Sequence, residues 1–502
     1  MGTTAADVVS EAHTLFTFIR TPAGEPYAIP KAEGALRVAL SLDQAATDIA
    51  AAFYVSGDIP GQQTMSAAMT VLSAQTRNVE TREVYLRLAR LGTTTYLDLG
   101  TPQGQYIEIT PTGWAVRDPR HGNTCPALFT RSTTTNALPV PERGGSRTDL
   151  AQMLALEPSD DRYRIAWGWL VAQVFPETAR PMIYFLGSQG SGKTTRGLML
   201  ANVLEPQSEM GSVLKRSERE NNPVAKSSYI LTVDNMTKMS EDTSNWLCSL
   251  VTGHRVIERK LYTNSETIAY SLKRTGIFTG KIKPAGLESD AEERMIFLEF
   301  ERMTVDVIRA DDDLMADLRN AHPRILGAVL DDMVTALHHM PTVTTADTKG
   351  YRFVNFAKVF AALDVFDTPG YIDALTREAT ESLAERVFDA PDLVAILRVV
   401  AADKGDWLGT SGDMLDAMRR WQPEDAQGRT DRGVWWPATA AHLGTRLRNQ
   451  QHALSLVGLR LEFKRQRTGA RTFHATMAPV DVARWAQPTS LSDIEIIQRG
   501  ER

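Results

Sequence analysis

Apolar positions along the chain follow four successive patterns. Over the first 145 residues they come in short runs. Residues 62–75 place them at helical spacing among small residues, which predicts a helix. Runs at 84–88, 95–99, 105–109 and 113–116 follow, separated by Gly, Pro and Asp, and predict the strands of a meander. A helical segment that includes 164–174 then leads to unbroken apolar runs of strand length at 181–186, 229–233, 276–279 and 295–298. Residues 304–400 return to helical spacing, at 314–318, 324–337, 353–363 and 371–387. From about 394 the pattern is helix, loop, helix, and then a Phe- and Arg-rich ribbon ending near 476.

These changes predict an α/β protein with five parts. They are an N-terminal α+β domain (1–145), a helical connector (146–180), a core of buried strands (181–303), a helical domain (304–393) and a C-terminal domain (394–502). The Pro- and Gly-rich stretch 139–145 reads as a linker, and no internal repeat is present. A length of 502 residues suits about three domains. The net charge of −6 advertises no general affinity for nucleic acid, so any such binding has to come from local patches. Cys125 and Cys248 are too few for a disulfide framework or a zinc site and point to a reducing cytoplasm. The first residues lack the order of a signal peptide, and the longest apolar stretch, 165–175, is far short of a membrane span, so no membrane partner is expected.

Candidate chemistry is concentrated after the run 181–186. Gly187, Ser188, Gln189, Gly190, Ser191, Gly192, Lys193 and Thr194 match G-x-x-x-x-G-K-[ST], and a helix-length segment, 194–204, follows and stops before Pro206. Such a loop wraps backbone N–H groups around β- and γ-phosphates, and glycines allow the close approach. Lys193 adds positive charge, the Thr194 hydroxyl can hold Mg²⁺, Thr195 lies beside it, and the helix start presents its positive dipole end. The expected ligands are a nucleoside triphosphate and Mg²⁺. The run 229–233 ends in Asp234, placed to hold Mg²⁺ through water. Asn235 follows where a water-polarising Glu is often found; it can orient a water but takes no proton. Glu241 and Asp242 are nearby acids. Thr279, at the end of a third strand, is a candidate to touch the γ-phosphate. Arg294 follows an acidic run and precedes the strand 295–298. It either completes a neighbouring subunit's site or pairs locally with Glu292 or Glu293.

Two basic regions are candidates for nucleic acid. Residues 255–262 and 267–270 flank a turn at 263–266 and predict a hairpin carrying Arg255, Arg259 and Lys260. It either projects into the channel of a ring or packs on its own domain. The second region is a helix at 440–449, with Leu443 and Leu447 one turn apart, followed by strands at 459–467 and 471–474 around a basic turn. This resembles a winged helix. Arg446, Arg448, Lys464, Arg465, Arg467 and Arg471 are its candidate phosphate contacts, and the alternative is a wing for protein contacts.

Taken together, these parts resemble the AAA+ ATPases of phages and integrated mobile elements, close to superfamily 3 helicases and to the helicase half of poxvirus-type primase-helicases. The residues that carry the resemblance are 187–194, Val233-Asp234-Asn235, Arg259-Lys260-Leu261-Tyr262-Thr263, and Arg294 before Met295-Ile296. It extends to the segment from Trp114 to Gly144-Gly145 and to residues 321–327. The resemblance implies a P-loop AAA+ core with a helical segment after it and a winged-helix-like C-terminal domain. It implies a homo-oligomeric ring, often a hexamer, with Arg294 acting in trans and the hairpin touching DNA in the channel. The activity implied is that of an ATP-dependent helicase or translocase on single-stranded or forked DNA in phage or mobile-element replication. Thr279 departs from the Asn usual in these relatives, and residues 1–145 hold no primase constellation. An ATP-switched initiator or loader with little turnover is the first alternative. A P-loop signalling or defence ATPase is the second.

Overall fold

The computed structural model describes residues 3–31, 38–55, 57–132, 134–211, 214–215, 217–259, 267–304, 309–366, 369–422, 436–465 and 471–486. The chain divides into two compact units, Met1–Leu375 and Thr376–Arg502.

The first unit opens with α1 (Ala5–Leu15), whose start is fixed by a capping box between Thr4 and Asp7. Strands β1 (Phe16–Arg20), β2 (Pro26–Pro30) and β3 (Leu40–Ser41) form a small antiparallel sheet. Helices α2 (Leu42–Val55) and α3 (Gln62–Gln75) share its core through Val8, Phe16, Phe18, Ile49 and Leu72. The meander follows as β4 (Leu88–Leu91), β5 (Thr94–Asp98), β6 (Tyr106–Thr110) and β7 (Gly113–Arg117), consecutive and antiparallel. Its first strand starts later than the apolar pattern suggests. Residues before Leu88 are held instead by a bridge from Tyr85 to Phe129 and by the buried Arg87, which donates to the carbonyls of Asp98 and Asn136.

After α4 (Arg147–Met153) and α5 (Asp161–Val171) comes the central layer. In chain order it contains β8 (Met182–Leu186), α6 (Lys193–Asn202), α7 (Glu218–Ser227), β9 (Ile230–Val233) and α8 (Glu241–Thr252). The hairpin of β10 (His254–Arg259) and β11 (Thr267–Leu272) follows, then β12 (Thr275–Gly280), α9 (Ser289–Glu292) and β13 (Met295–Glu299). The sheet order is β13-β8-β12-β9, and every pairing is parallel. Burial on both faces explains the unbroken apolar runs.

Two sequence breaks are overridden by packing. Pro323 divides the apolar pattern 314–337, yet α10 (Asp311–His339) is one 29-residue helix with Pro323 inside it. Burial of Leu318, Ala321, His322, Ile325 and Leu326 on either side outweighs the lost hydrogen bond. The stretch 139–145 is strapped to this helix. The Glu142 N–H donates to the Pro323 carbonyl at 2.9 Å, and Arg143 lies 4.1 Å over the Trp114 ring. One apolar cluster runs from the meander through α5 and the sheet to α10 and α11 (Val354–Phe366). The units divide within α12 (Tyr371–Phe388).

Glu205 anchors the start of β9. Its buried carboxylate accepts the N–H groups of Tyr229, at 3.0 Å, and Ile230. Burial pushes this carboxyl up, and Arg87, the two N–H groups and Arg274 oppose the shift. Glu205→Ala strands two backbone donors and removes the negative charge that faces Arg87 and Arg274. We expect it to destabilise the unit by about 3–5 kcal/mol, read as a lower midpoint of urea unfolding for the full chain.

The second unit contains α13 (Pro391–Ala402), β14 (Asp406–Thr410), α14 (Ser411–Met418), α15 (Ala440–Asn449), α16 (Gln451–Leu456), β15 (Leu459–Arg465), β16 (Arg471–Met477) and α17 (Pro479–Ala486). Its sheet order is β14-β16-β15, antiparallel throughout. Leu393, Leu397, Trp407, Leu443, Leu447, Leu461 and Phe473 form its core.

Candidate active site

Residues 187–192 leave the C-terminal end of β8 and turn into α6, so the loop lies where all four parallel strands point their carboxyl ends. It is packed against the segment after β13. The Phe300 N–H donates to Leu186 and the Met303 N–H to Gly190, at 2.8 and 3.2 Å. Gly187 has φ +154°, and a Cβ there would stand 2.3 Å from the Phe300 carbonyl oxygen. Gly192 caps α6 in the left-handed region, at φ +68°. Ser188, Gln189 and Gly190 are exposed, while the buried Ser191 hydroxyl has no hydrogen-bond partner among the described residues.

Lys193 starts α6, and its ammonium donates to the Ser188 carbonyl at 3.2 Å. Burial holds it below its ordinary pKa; Asp234 opposes that shift and Lys281 adds to it. The Thr194 hydroxyl donates to Asp234 Oδ1 at 2.9 Å. The buried Thr279 hydroxyl donates to the same oxygen and accepts the Asn235 N–H at 3.0 Å. Asn235 sits at φ +53°, which turns the chain sharply at the end of β9 and leaves its side chain exposed. Thr195 donates to Asp311 at 2.8 Å and ties the start of α10 to α6. A carboxylate and a hydroxyl therefore converge beside a lysine and a glycine loop. That donor set suits Mg²⁺, which takes few protein ligands and keeps water and phosphate oxygens.

Arg294 lies at the amino end of the strands, opposite the loop, where its carbonyl accepts the Met182 N–H at the start of β8. Its guanidinium pairs with Asp290 at 2.6 Å, not with Glu292 or Glu293, and its buried Nε has no partner among the described residues. Burial raises the Asp290 carboxyl, but Arg294 and Arg352 outweigh it and hold the group below the usual carboxylate range. Glu292 pairs with Lys283, and Glu293 with Arg352. Glu241 and Asp242 form the exposed first turn of α8, behind the Ser240 cap.

The β10–β11 hairpin joins α8 to the start of β12, at the amino ends of the strands, opposite the loop. Val256, Tyr270 and Leu272 seat its base in the core, while Arg255 and Ile257 are exposed. Lys260, the turn 263–266 and Arg467 lie outside the described residues, as does the side chain of Arg259. In the second unit Arg448, Lys464, Arg465 and Arg471 line one 170 Å³ pocket. Arg446 is elsewhere: its Nε is 3.1 Å from the buried Asp392 carboxylate.

Two residues near the loop were not legible in the sequence. Arg196, one turn into α6, donates to the Ser191 carbonyl and to Leu154 O at 2.6 Å and lies 4.7 Å over the Phe300 ring. Burial pushes its pKa down to about 10, with Arg162 adding to the effect, so it is charged at neutral pH and braces the loop. Lys281 is exposed directly after β12, whose last residue, Gly280, pairs with Leu186. It therefore emerges alongside Gly187. A cation at the end of the strand adjoining the loop was the available signal.

The class that the comparisons support is that of replication proteins of mobile elements. Residues 151–384 match the family model described as "Actinomycete integrative conjugative element replication protein", and residues 393–487 match "AICE RepA C-terminal domain". Neither model alone covers half of the chain; together they mark it as a replication protein of a mobile element. No curated protein matches it. Among solved structures it is similar to "SCCmec type IV Cch - active helicase", at 13% identity and a TM-score of 0.44 over 93% of this chain and 94% of that chain. It is also similar to the NrS-1 C-terminal region, at 10% identity and a TM-score of 0.39 over 95% of this chain and 100% of that chain. The JCV helicase gives 11% identity and a TM-score of 0.23 over 47% of this chain and 64% of that chain.

Proposed function

We propose that the chain is an ATP-dependent DNA helicase or translocase that works as a homo-oligomeric ring in replication of a mobile element. The observation that carries this reading is the 2.9 Å contact of Thr194 with Asp234, at the mouth of the glycine loop and beside Lys193. Hydroxyl and carboxylate are placed to share one Mg²⁺, and loop N–H groups and Lys193 face the position of the β- and γ-phosphates. Bound Mg²⁺ would supply charge neutralisation for the phosphates. Asp234 orients its own side of the site through Thr279, and Asn235 can hold a water by hydrogen bonding. The Thr279 hydroxyl has a single proton, and that proton goes to Asp234. It has none left for a γ-phosphate oxygen. Lys281, emerging beside Gly187, takes that place. Arg294, facing away from its own loop, completes a neighbour's site. The element order of the second unit is that of a winged helix, and with the β10–β11 hairpin it contacts DNA.

The test is strand displacement on forked DNA by the purified chain, with and without ATP and Mg²⁺. ATP-dependent displacement supports the motor. DNA binding that ATP alters without displacement favours the initiator or loader reading, which Asn235 and the engaged Thr279 hydroxyl keep in view. Lys281→Met is expected to lower kcat by about 10²-fold, the usual effect of removing one preorganised donor, while ADP affinity changes little. Unaltered kcat would return the γ-phosphate contact to Thr279.

A further inference from the structure

The second unit contains a small basic pocket, and among the described residues no carboxylate pairs with its arginines Arg448, Arg465 and Arg471. Along the core-facing rows of the ribbon, Leu459, Leu461 and Phe463 oppose Met477, Ala475 and Phe473. The next pair in the same rows is Arg465 opposite Arg471. Like charges placed directly across two strands repel, so this pair opposes the folding of the ribbon. From α15 a third guanidinium, Arg448, is stacked 5.0 Å over Phe463 and is tied to the Gly444 carbonyl at 3.1 Å. Ser411, the first residue of α14, and Thr472 add hydroxyls to the lining. Among the described residues that line the pocket there is no carboxylate. Lys464 is turned to an exposed pair with Glu462 at 3.6 Å, so the three arginines supply the charge.

We propose that this pocket is a clamp for a single backbone phosphate of nucleic acid. The inference rests on the reading of the second unit as DNA-binding and adds the ligand group and its site. Guanidinium forks match phosphate oxygens in shape and charge, and an anion between Arg465 and Arg471 turns their repulsion into attraction. The cavity, about 170 Å³, is below the roughly 300 Å³ at which pockets take whole small molecules, which favours a phosphate group over a nucleotide. Arg448 sits on the exposed side of α15, so a strand lying along that helix brings its backbone to the pocket mouth. The grip is independent of base identity, because backbone contacts carry no sequence information.

The experiment uses the full chain and a fluorescent single-stranded oligonucleotide, with anisotropy followed across a salt series. Arg465→Gln combined with Arg471→Gln should weaken binding at least about tenfold at low salt and flatten the plot of log affinity against log salt by about 0.7, one phosphate's worth. The DNA-free double variant should also melt about 1–3 °C higher, since the cross-strand repulsion is gone. Arg460→Gln, on the same strand but outside the pocket, should leave affinity and slope near wild type. If Arg460→Gln weakens binding as much as the double variant, a diffuse field and not a pocket holds the DNA, and the proposal fails. If wild type binds tightly with a steep slope and the double variant matches it, the pocket alone is wrong. If wild type binds no DNA at low salt, the reading of the whole unit as DNA-binding falls with it.

Discussion

Lys193→Ala is expected to remove ATP turnover, with kcat/KM falling by about 10³-fold or more, the scale on which charge-stabilising groups act in phosphoryl transfer. Lys193 is the loop's only lysine and opens α6, where its ammonium, the helix dipole and the loop N–H groups converge. Burial lowers its pKa, as expected for an ammonium held out of bulk water until a multiply charged anion arrives. Among the described residues the ammonium makes one hydrogen bond, a local one to Ser188, so the fold should tolerate the alanine and the melting temperature should stay near wild type. Turnover and fluorescent-nucleotide binding measured on the same preparation separate chemistry from affinity. A variant that hydrolyses ATP at the normal rate would remove the phosphate loop from the mechanism, and with it the proposed motor.

Several parts of this site are local in sequence, and those were legible. The glycine loop is bracketed by an apolar run and a helix, and Asp234 ends another apolar run. Partners brought together by strand order were not legible. Thr279 reaches Asp234 only because β12 lies beside β9 in the sheet, a contact that no local pattern reveals. Arg446 and Arg448 look alike on α15. Two positions apart on a helix they diverge, one to the buried Asp392 and the other to the ribbon. Arg294 was weighed against Glu292 and Glu293, but the short helix α9 brings Asp290 round at i,i+4. Pro323 reads as a break in any local scheme, and only the packing around α10 shows why the helix continues.

Arg294→Ala should leave nucleotide binding intact and depress hydrolysis by about 10³-fold or more, as for an arginine supplied in trans. The geometry excludes action in cis. Arg294 precedes the first residue of β13 while the phosphate loop follows the last residue of β8, and five residues of strand span about 16 Å, farther than an arginine reaches. In this structure its guanidinium is held by Asp290, which Arg352 also contacts at 3.3 Å. Asp290 can therefore keep a partner when Arg294 turns to a neighbour. Two inactive variants test the assignment directly. Arg294→Ala retains a sound loop, and Lys193→Ala retains a sound arginine. In a randomly mixed, non-cooperative ring of equal parts, about a quarter of the sites combine one good half from each, so roughly a quarter of the wild-type rate should return. No recovery from mixtures that do co-assemble would confine Arg294 to its pair with Asp290. Arg352, half exposed on the same surface, is the next candidate. If Arg352→Ala complements Lys193→Ala while Arg294→Ala retains full activity, the finger is Arg352, and Arg294 serves to position the acid between them.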